Sequence, residues 1–310
     1  MVQNPRNRPP QKKRKKTLEL DPENVNDIIR ALSQIEFDKY IVLEDFHYLK
    51  QETQKDFSIA LKAFHEDPNL DSDFIIVGVW LEENRLILYN GDLRGRIFSI
   101  NVDRWKTKDL KKVIIDGEEL LNINIDKEFE RSLLHNCYGS VSILQEACSE
   151  ACEQEDITKT QKTCTTIGTE LDANEIVNSV IESRSARYRS FLREFADGFQ
   201  STELEMYRWL LYPILSATPA ELQEGLSYGD IREKIEKHHP VGEDLNPGNL
   251  TQSLQSVTSL QSDLEIKPFI LDYNETNNRL SIVDRGFFVW VANTPKNQLL
   301  KHAGLYQYTE

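Results

Sequence analysis

The sequence predicts an α/β core with parallel strands, followed by a set of helices and then a second, mostly helical domain. Three observations lead to this fold class. Tyr40-Ile41-Val42-Leu43 is an apolar run too short for a helix, closed by the paired acids Glu44-Asp45, and it reads as a buried parallel strand. A stretch of helical period, Gln51 to His65, separates it from a second apolar run, Phe74 to Trp80, which is the strand-helix-strand order of a parallel pair. Further along, helical periods follow one another until the alternating runs Ile266 to Asp272 and Leu280 to Asp284 mark a hairpin.

Composition sets the limits within which these elements are read. A length of 310 residues is enough for two domains. The 39% hydrophobic and 28% charged content suits a globular protein. No apolar run approaches the ~18 residues of a membrane span, and the first residues lack the apolar stretch of a signal peptide, so a cytoplasmic protein is expected. The net charge is -14, yet Arg6, Arg8, Lys12, Lys13, Arg14, Lys15 and Lys16 stand together without an acid, and without those seven charges the rest of the chain is at -21. Residues 1–20 are therefore expected to be a disordered basic arm on a body that repels nucleic acid on average. Cys137, Cys148, Cys152 and Cys164 form no CxxC pair and are expected to be free thiols rather than metal ligands.

Taken in order, Asp21-Pro22-Glu23 is a helix start, and Val25, Ile28, Ile29, Leu32 and Ile35 recur at helical spacing up to Phe37. This helix leads into the strand at Tyr40. In the helix that follows, Phe57, Ile59, Ala60, Leu61 and Phe64 are expected to face inward, with Asp67-Pro68 as the stop. After the second strand come a short helix, the turn Asn90-Gly91-Asp92-Leu93-Arg94-Gly95-Arg96 and a third strand, Ile97 to Ile100. Thr107 to Glu119, with Thr107 as its cap, Asp126 to Asn136 and Ser140 to Cys152 are three helices.

The apolar strand, the acid pair and the following Phe46-His47-Tyr48-Leu49 resemble the Walker B motif of AAA+ and STAND-type P-loop ATPases, including the origin-recognition-like and archaeal-ATPase branches. The resemblance implies that Glu44 and Asp45 are metal ligands and catalytic residues, Glu44 holding Mg2+ through water and Asp45 polarising the attacking water. It implies a polar nucleotide contact at the end of the second strand, where Asn84 is the candidate beside Glu82 and Glu83. Arg94 and Arg96 match the family's D-L-x-G-R approach, so either is a catalytic candidate near the nucleotide or a neighbour, a planar fork suited to a γ-phosphate. The three helices then correspond to the helical lid. Three departures matter, the first being Glu44 in the metal position, where the family usually has Asp. No G-x-x-x-x-G-K-[ST] is present, and Gly139-Ser140-Val141-Ser142 has no basic residue at the sensor-2 place. The fold expected is thus an incomplete P-loop NTPase core with a helical lid. ATP and Mg2+ are cofactors by resemblance only, with no tight binding to the isolated chain. A protein partner or second polypeptide would complete the core of a truncated or split subunit.

Glu153 to Asn174 has no sustained apolar period and reads as a linker. A long helix follows, with Ile176, Val177, Val180, Tyr188, Phe191 and Phe195 on one stripe and Arg184, Arg187, Arg189 and Arg193 expected to be balanced by local glutamates. Helices Thr202 to Ser216, Ser227 to His238 and Pro247 to Ser262, then the hairpin through Tyr273 to Asn278, resemble a winged helix. Phe287 to Trp290 returns to the core as strand or helix. The expected domains are 21–104 for the partial core, 105–153 for the lid, 154–174 for the linker and 175–310 for the long helix and winged-helix-like domain. The alternative function is a non-enzymatic winged-helix DNA-binding regulator. Against it, the helix from Pro247 carries Thr, Ser and Gln for base edges but no Lys or Arg to neutralise phosphate.

Overall fold

The structure, a computed structural model, describes residues 20–306 except 36, 38, 69, 71, 80–84, 103–104, 200–202 and 243–244. These form two compact units: the first takes the residues up to Gly78 together with those from Arg85 to Phe98, and the second takes Val79 together with the residues from Ser99 onward.

The first unit holds α1 (Val25–Gln34), β1 (Ile41–Leu43), α2 (Gln51–Glu66), β2 (Phe74–Ile76) and α3 (Arg85–Tyr89). The side chain of Asn24 accepts the Asn26 N–H and so starts α1. As expected, β1 and β2 are parallel, with Ile41 opposite Phe74, Val42 opposite Ile75 and Leu43 opposite Ile76. One face of this pair is covered by the aromatic side chains of α2, with Phe57 and Phe64 at 5.7 and 4.9 Å from the Phe74 ring. The other face is bare, which corrects the expectation of a buried strand: Val42 is 51% and Ile75 45% exposed, with Tyr40 and Val77 exposed beside them. Ile59, expected inward, is also exposed. It lies two residues from Phe57, about 200° around the helix, and so on the opposite side. The predicted third strand Ile97 to Ile100 makes no ladder, and Phe98 is 87% exposed.

The second unit begins with α4 (Thr107–Leu121), β3 (Ile123–Ile125), α5 (Lys127–Asn136), α6 (Val141–Gln154), β4 (Thr165–Ile167) and α7 (Ala173–Asp197). Thr107 is not the cap of α4. The chain turns in at Lys106, whose N–H is taken by the Asp109 carboxylate. Asp126 and Ser140 cap α5 and α6 with their side chains. The stretch expected as a linker is built into this unit. β4 pairs parallel with β3, Ile157 and Ile167 are buried, and Asn122 donates to the Gln161 carbonyl. A three-residue strand is too short to leave a period in the sequence. Among the described residues three of the four α7 arginines are paired, two of them with glutamates as expected: Arg184 with Glu146 and Arg189 with Glu182 at 3.1 Å, while Arg187 instead meets Asp284 at 3.0 Å.

Beyond α7 come α8 (Met206–Ser216), α9 (Pro219–Glu224), β5 (Leu226–Ser227), α10 (Tyr228–His238), α11 (Pro247–Gln255), α12 (Val257–Asp263), β6 (Leu271–Asn274), β7 (Arg279–Ile282), α13 (Arg285–Asn293) and α14 (Lys296–His302). The sheet order is β5-β7-β6, all antiparallel. Gly225, at φ +77°, brings β5 against β7 where any Cβ would collide with the Ser281 hydroxyl. The single helix expected from Pro247 to Ser262 is two, divided at Ser256. Phe287 to Trp290 is helical, in α13. One apolar core runs from Leu110 to Leu305, so the lid-like helices and the C-terminal elements share an interior.

Candidate functional site

β1 runs into a turn at Glu44 and Asp45, both exposed. Asp45 takes the left-handed conformation, φ 57°, which Asp tolerates better than most side chains. The turn is pinned on its far side by Phe46, 3% exposed, whose ring lies 5.2 Å from Phe57 and whose N–H donates to the Val77 carbonyl. The two carboxylates therefore stand at the carboxyl end of β1, next to the carboxyl end of β2, where open parallel sheets place their ligands. Among the described residues neither has an ion pair or a side-chain hydrogen bond, and both are exposed to solvent.

Those two oxygen donors do not by themselves make a nucleotide site. Mg2+ keeps most of its waters and is held by one or two carboxylates together with substrate phosphates. No phosphate cradle occurs in the sequence, and among the described residues no three His, Cys, Asp or Glu side chains gather to hold a metal. Nor do the remaining candidates join the pair. Arg96 bonds Glu66, the last residue of α2, at 2.9 Å. α2 starts beside the carboxyl ends of the strands and returns to their amino ends, a span of about 22 Å for sixteen residues. Arg96 thus sits at the far end of the unit from Glu44 and Asp45. Arg94, two residues earlier, is exposed after the turn Gly91–Leu93. Asn84, Glu82 and Glu83 lie outside the described residues. At the sensor-2 place, the Ser140 hydroxyl is used as a helix cap.

The polar face proposed to read bases is largely used inside the fold. Thr251 donates to the Pro247 carbonyl, Gln255 to Glu275 and Thr258 to Asp272, and Gln261 is fully buried against Ile270 and Leu271. Burial pushes the Cys137 and Cys148 thiols up to about 12, so they are inert.

Sequence reasoning passed over a second feature. In the second unit the start of α4, one side of α5 and the residues Pro219, Ala220, Gln223 and Arg285 enclose an open groove of about 1140 Å³. Among the described residues Lys106, Lys111, Lys127, Arg131 and Arg285 line it, against one carboxylate, Glu130. Burial pushes the Glu130 carboxyl up, but bonds from Lys127 at 2.8 Å and Lys111 at 3.3 Å outweigh it and hold the group below its ordinary value. The signal was present in Trp105-Lys106-Thr107-Lys108-Asp109-Leu110-Lys111-Lys112, four lysines to one acid in a chain of net charge -14.

No protein-family model matches the chain, and no curated protein matches it in sequence. Among solved structures it is similar to the crystal structure of Cdc6p from Pyrobaculum aerophilum, at 12% identity over 88% of this chain and 69% of that one, with a TM-score of 0.35. It is also similar to two single-substitution variants of RuvB from Thermotoga maritima, at 12% and 13% identity over 87% of this chain and 76% of those, each with a TM-score of 0.34. Among the described residues no helix is long and apolar enough to cross a membrane.

Proposed function

We propose that this chain is the acid-pair half of an AAA+/STAND-like ATPase subunit, cytoplasmic, whose phosphate-binding half comes from outside these 310 residues. It acts through protein interaction and does not hydrolyse ATP by itself. One observation carries the reading: Glu44 and Asp45 stand at the carboxyl end of a strand that is parallel to its neighbour, with no side-chain partner among the described residues. The bare face of the same pair supports it. Parallel sheets are ordinarily covered on both faces, and Tyr40, Val42, Ile75 and Val77 are an apolar surface awaiting cover.

In the completed assembly Glu44 and Asp45 would hold hydrated Mg2+ against phosphates, and Arg94, at the other end of the unit, would face a neighbouring molecule rather than its own acid pair. The C-terminal order of α8, β5, α10, α11 with α12, β6 and β7, with β7 central, supports a winged helix there. Its α11 and α12 carry no Lys or Arg, so it serves protein contact in this reading rather than the major groove of DNA.

Titration of the purified chain with a fluorescent ATP analogue, with and without Mg2+, tests the proposal. The expected result is no saturable binding that needs both Mg2+ and Asp45. Tight Mg2+-dependent binding that Asp45→Asn abolishes would show a complete site in this chain and refute it.

A further inference from the structure

We infer that the groove beside α4 binds single-stranded nucleic acid, independently of whether Glu44 and Asp45 handle nucleotide. Among the described residues its cations outnumber its acids five to one, and the one acid among them, Glu130, is already neutralised by Lys111 and Lys127. Arg131 and Arg285 are exposed and make no ion pair with any described residue. Trp105, 45% exposed, and Tyr138 both line the groove. Unpaired guanidinium groups in a concave surface suit phosphate, and flat rings beside them suit unstacked bases, the combination by which single strands are held without sequence preference.

Other occupants fit less well. The groove is open and exceeds the ~300–1,000 Å³ of sites that enclose small molecules. A duplex offers no free base faces to Trp105. The acidity of the whole chain, -14, does not prevent local binding, because charges beyond ~8 Å are screened at physiological salt. It does predict that binding weakens steeply as salt rises.

The test is fluorescence anisotropy of a labelled twelve-residue oligo-dT with the full 310-residue chain at about 50 mM salt, the basic arm being common to all variants. The double variant Arg131→Gln with Arg285→Gln is expected to bind at least tenfold more weakly, with a log–log salt slope smaller by about 1.4. Trp105→Ala is expected to weaken binding about tenfold and to remove oligonucleotide quenching of tryptophan emission. Should the double variant melt earlier than wild type, Lys106→Gln replaces it, with at least a threefold loss expected. Three results would overturn the inference: no saturable binding by the wild-type chain, variants that bind like wild type, or a poly-glutamate peptide that displaces the oligonucleotide with equal affinity.

Discussion

Gln261 sits fully buried where α12 meets β6, and replacing it with Met removes its polar groups while keeping the shape of the side chain. Its Oε1 accepts the N–H of Ile270 at 2.8 Å and of Leu271 at 3.1 Å, and its Nε2 donates to the carbonyls of Leu271 at 2.8 Å and Val257 at 3.0 Å. Gln261→Met leaves the two N–H groups buried with no acceptor, at about 1–3 kcal/mol each, and no water can reach a site of zero exposure. Burying the thioether in place of an amide returns about 1 kcal/mol. The net expectation is a loss of about 1–5 kcal/mol. Urea unfolding followed by tryptophan emission reads this unit, since Trp209 and Trp290 are both buried in its core. With a slope of about 2–3 kcal/mol/M, the midpoint falls by about 1 M. A loss under about 0.5 kcal/mol would refute the view that this side chain joins helix to sheet.

The remaining predictions concern the bare sheet face and one capping residue. Val42→Thr with Ile75→Thr is expected to cost less than about 1 kcal/mol and to reduce self-association in sedimentation, because both side chains are about half exposed; a cost above about 2 kcal/mol would mean the face is covered. Glu221 accepts the Thr218 N–H at 2.7 Å and the Thr218 hydroxyl at 2.8 Å and meets Lys234 at 3.1 Å, which lowers its pKa from 4.5 to about 2. Because the folded value is the depressed one, the stabilisation is present above the ordinary carboxyl range and is lost as pH falls through about 2. The stability difference between wild type and Glu221→Gln should therefore shrink from pH 4.5 downward, and a constant difference across that range would contradict this account.

What the sequence disclosed follows from how far each signal reaches along the chain. The parallel pair was readable because two apolar runs flank a helix of regular period, and the helix from Asp126 to Asn136 was readable from its period, whereas the cap expected at Thr107 falls one residue earlier, at Lys106. Burial was not. Val42 and Ile75 are apolar whether or not a layer covers them, so the bare face became visible only in three dimensions. β4 escaped because three residues carry no period, and the break at Ser256 because a helix that divides keeps nearly the same apolar stripe. In the site, the acid pair was found from its strand, but the distance that separates Arg96 from it depends on the direction in which α2 runs. The groove draws Lys106, Arg131 and Arg285 from segments far apart in sequence, and only its α4 part leaves a charge run.

The claim on which the account turns is that Glu44 and Asp45 are half of a nucleotide-handling site. Steady-state ATP turnover by the purified 310-residue chain with Mg2+, compared with Asp45→Asn, tests it most directly. The account predicts rates at background for both proteins; substantial Mg2+-dependent turnover that is abolished by Asp45→Asn would show that the chain already carries the whole site.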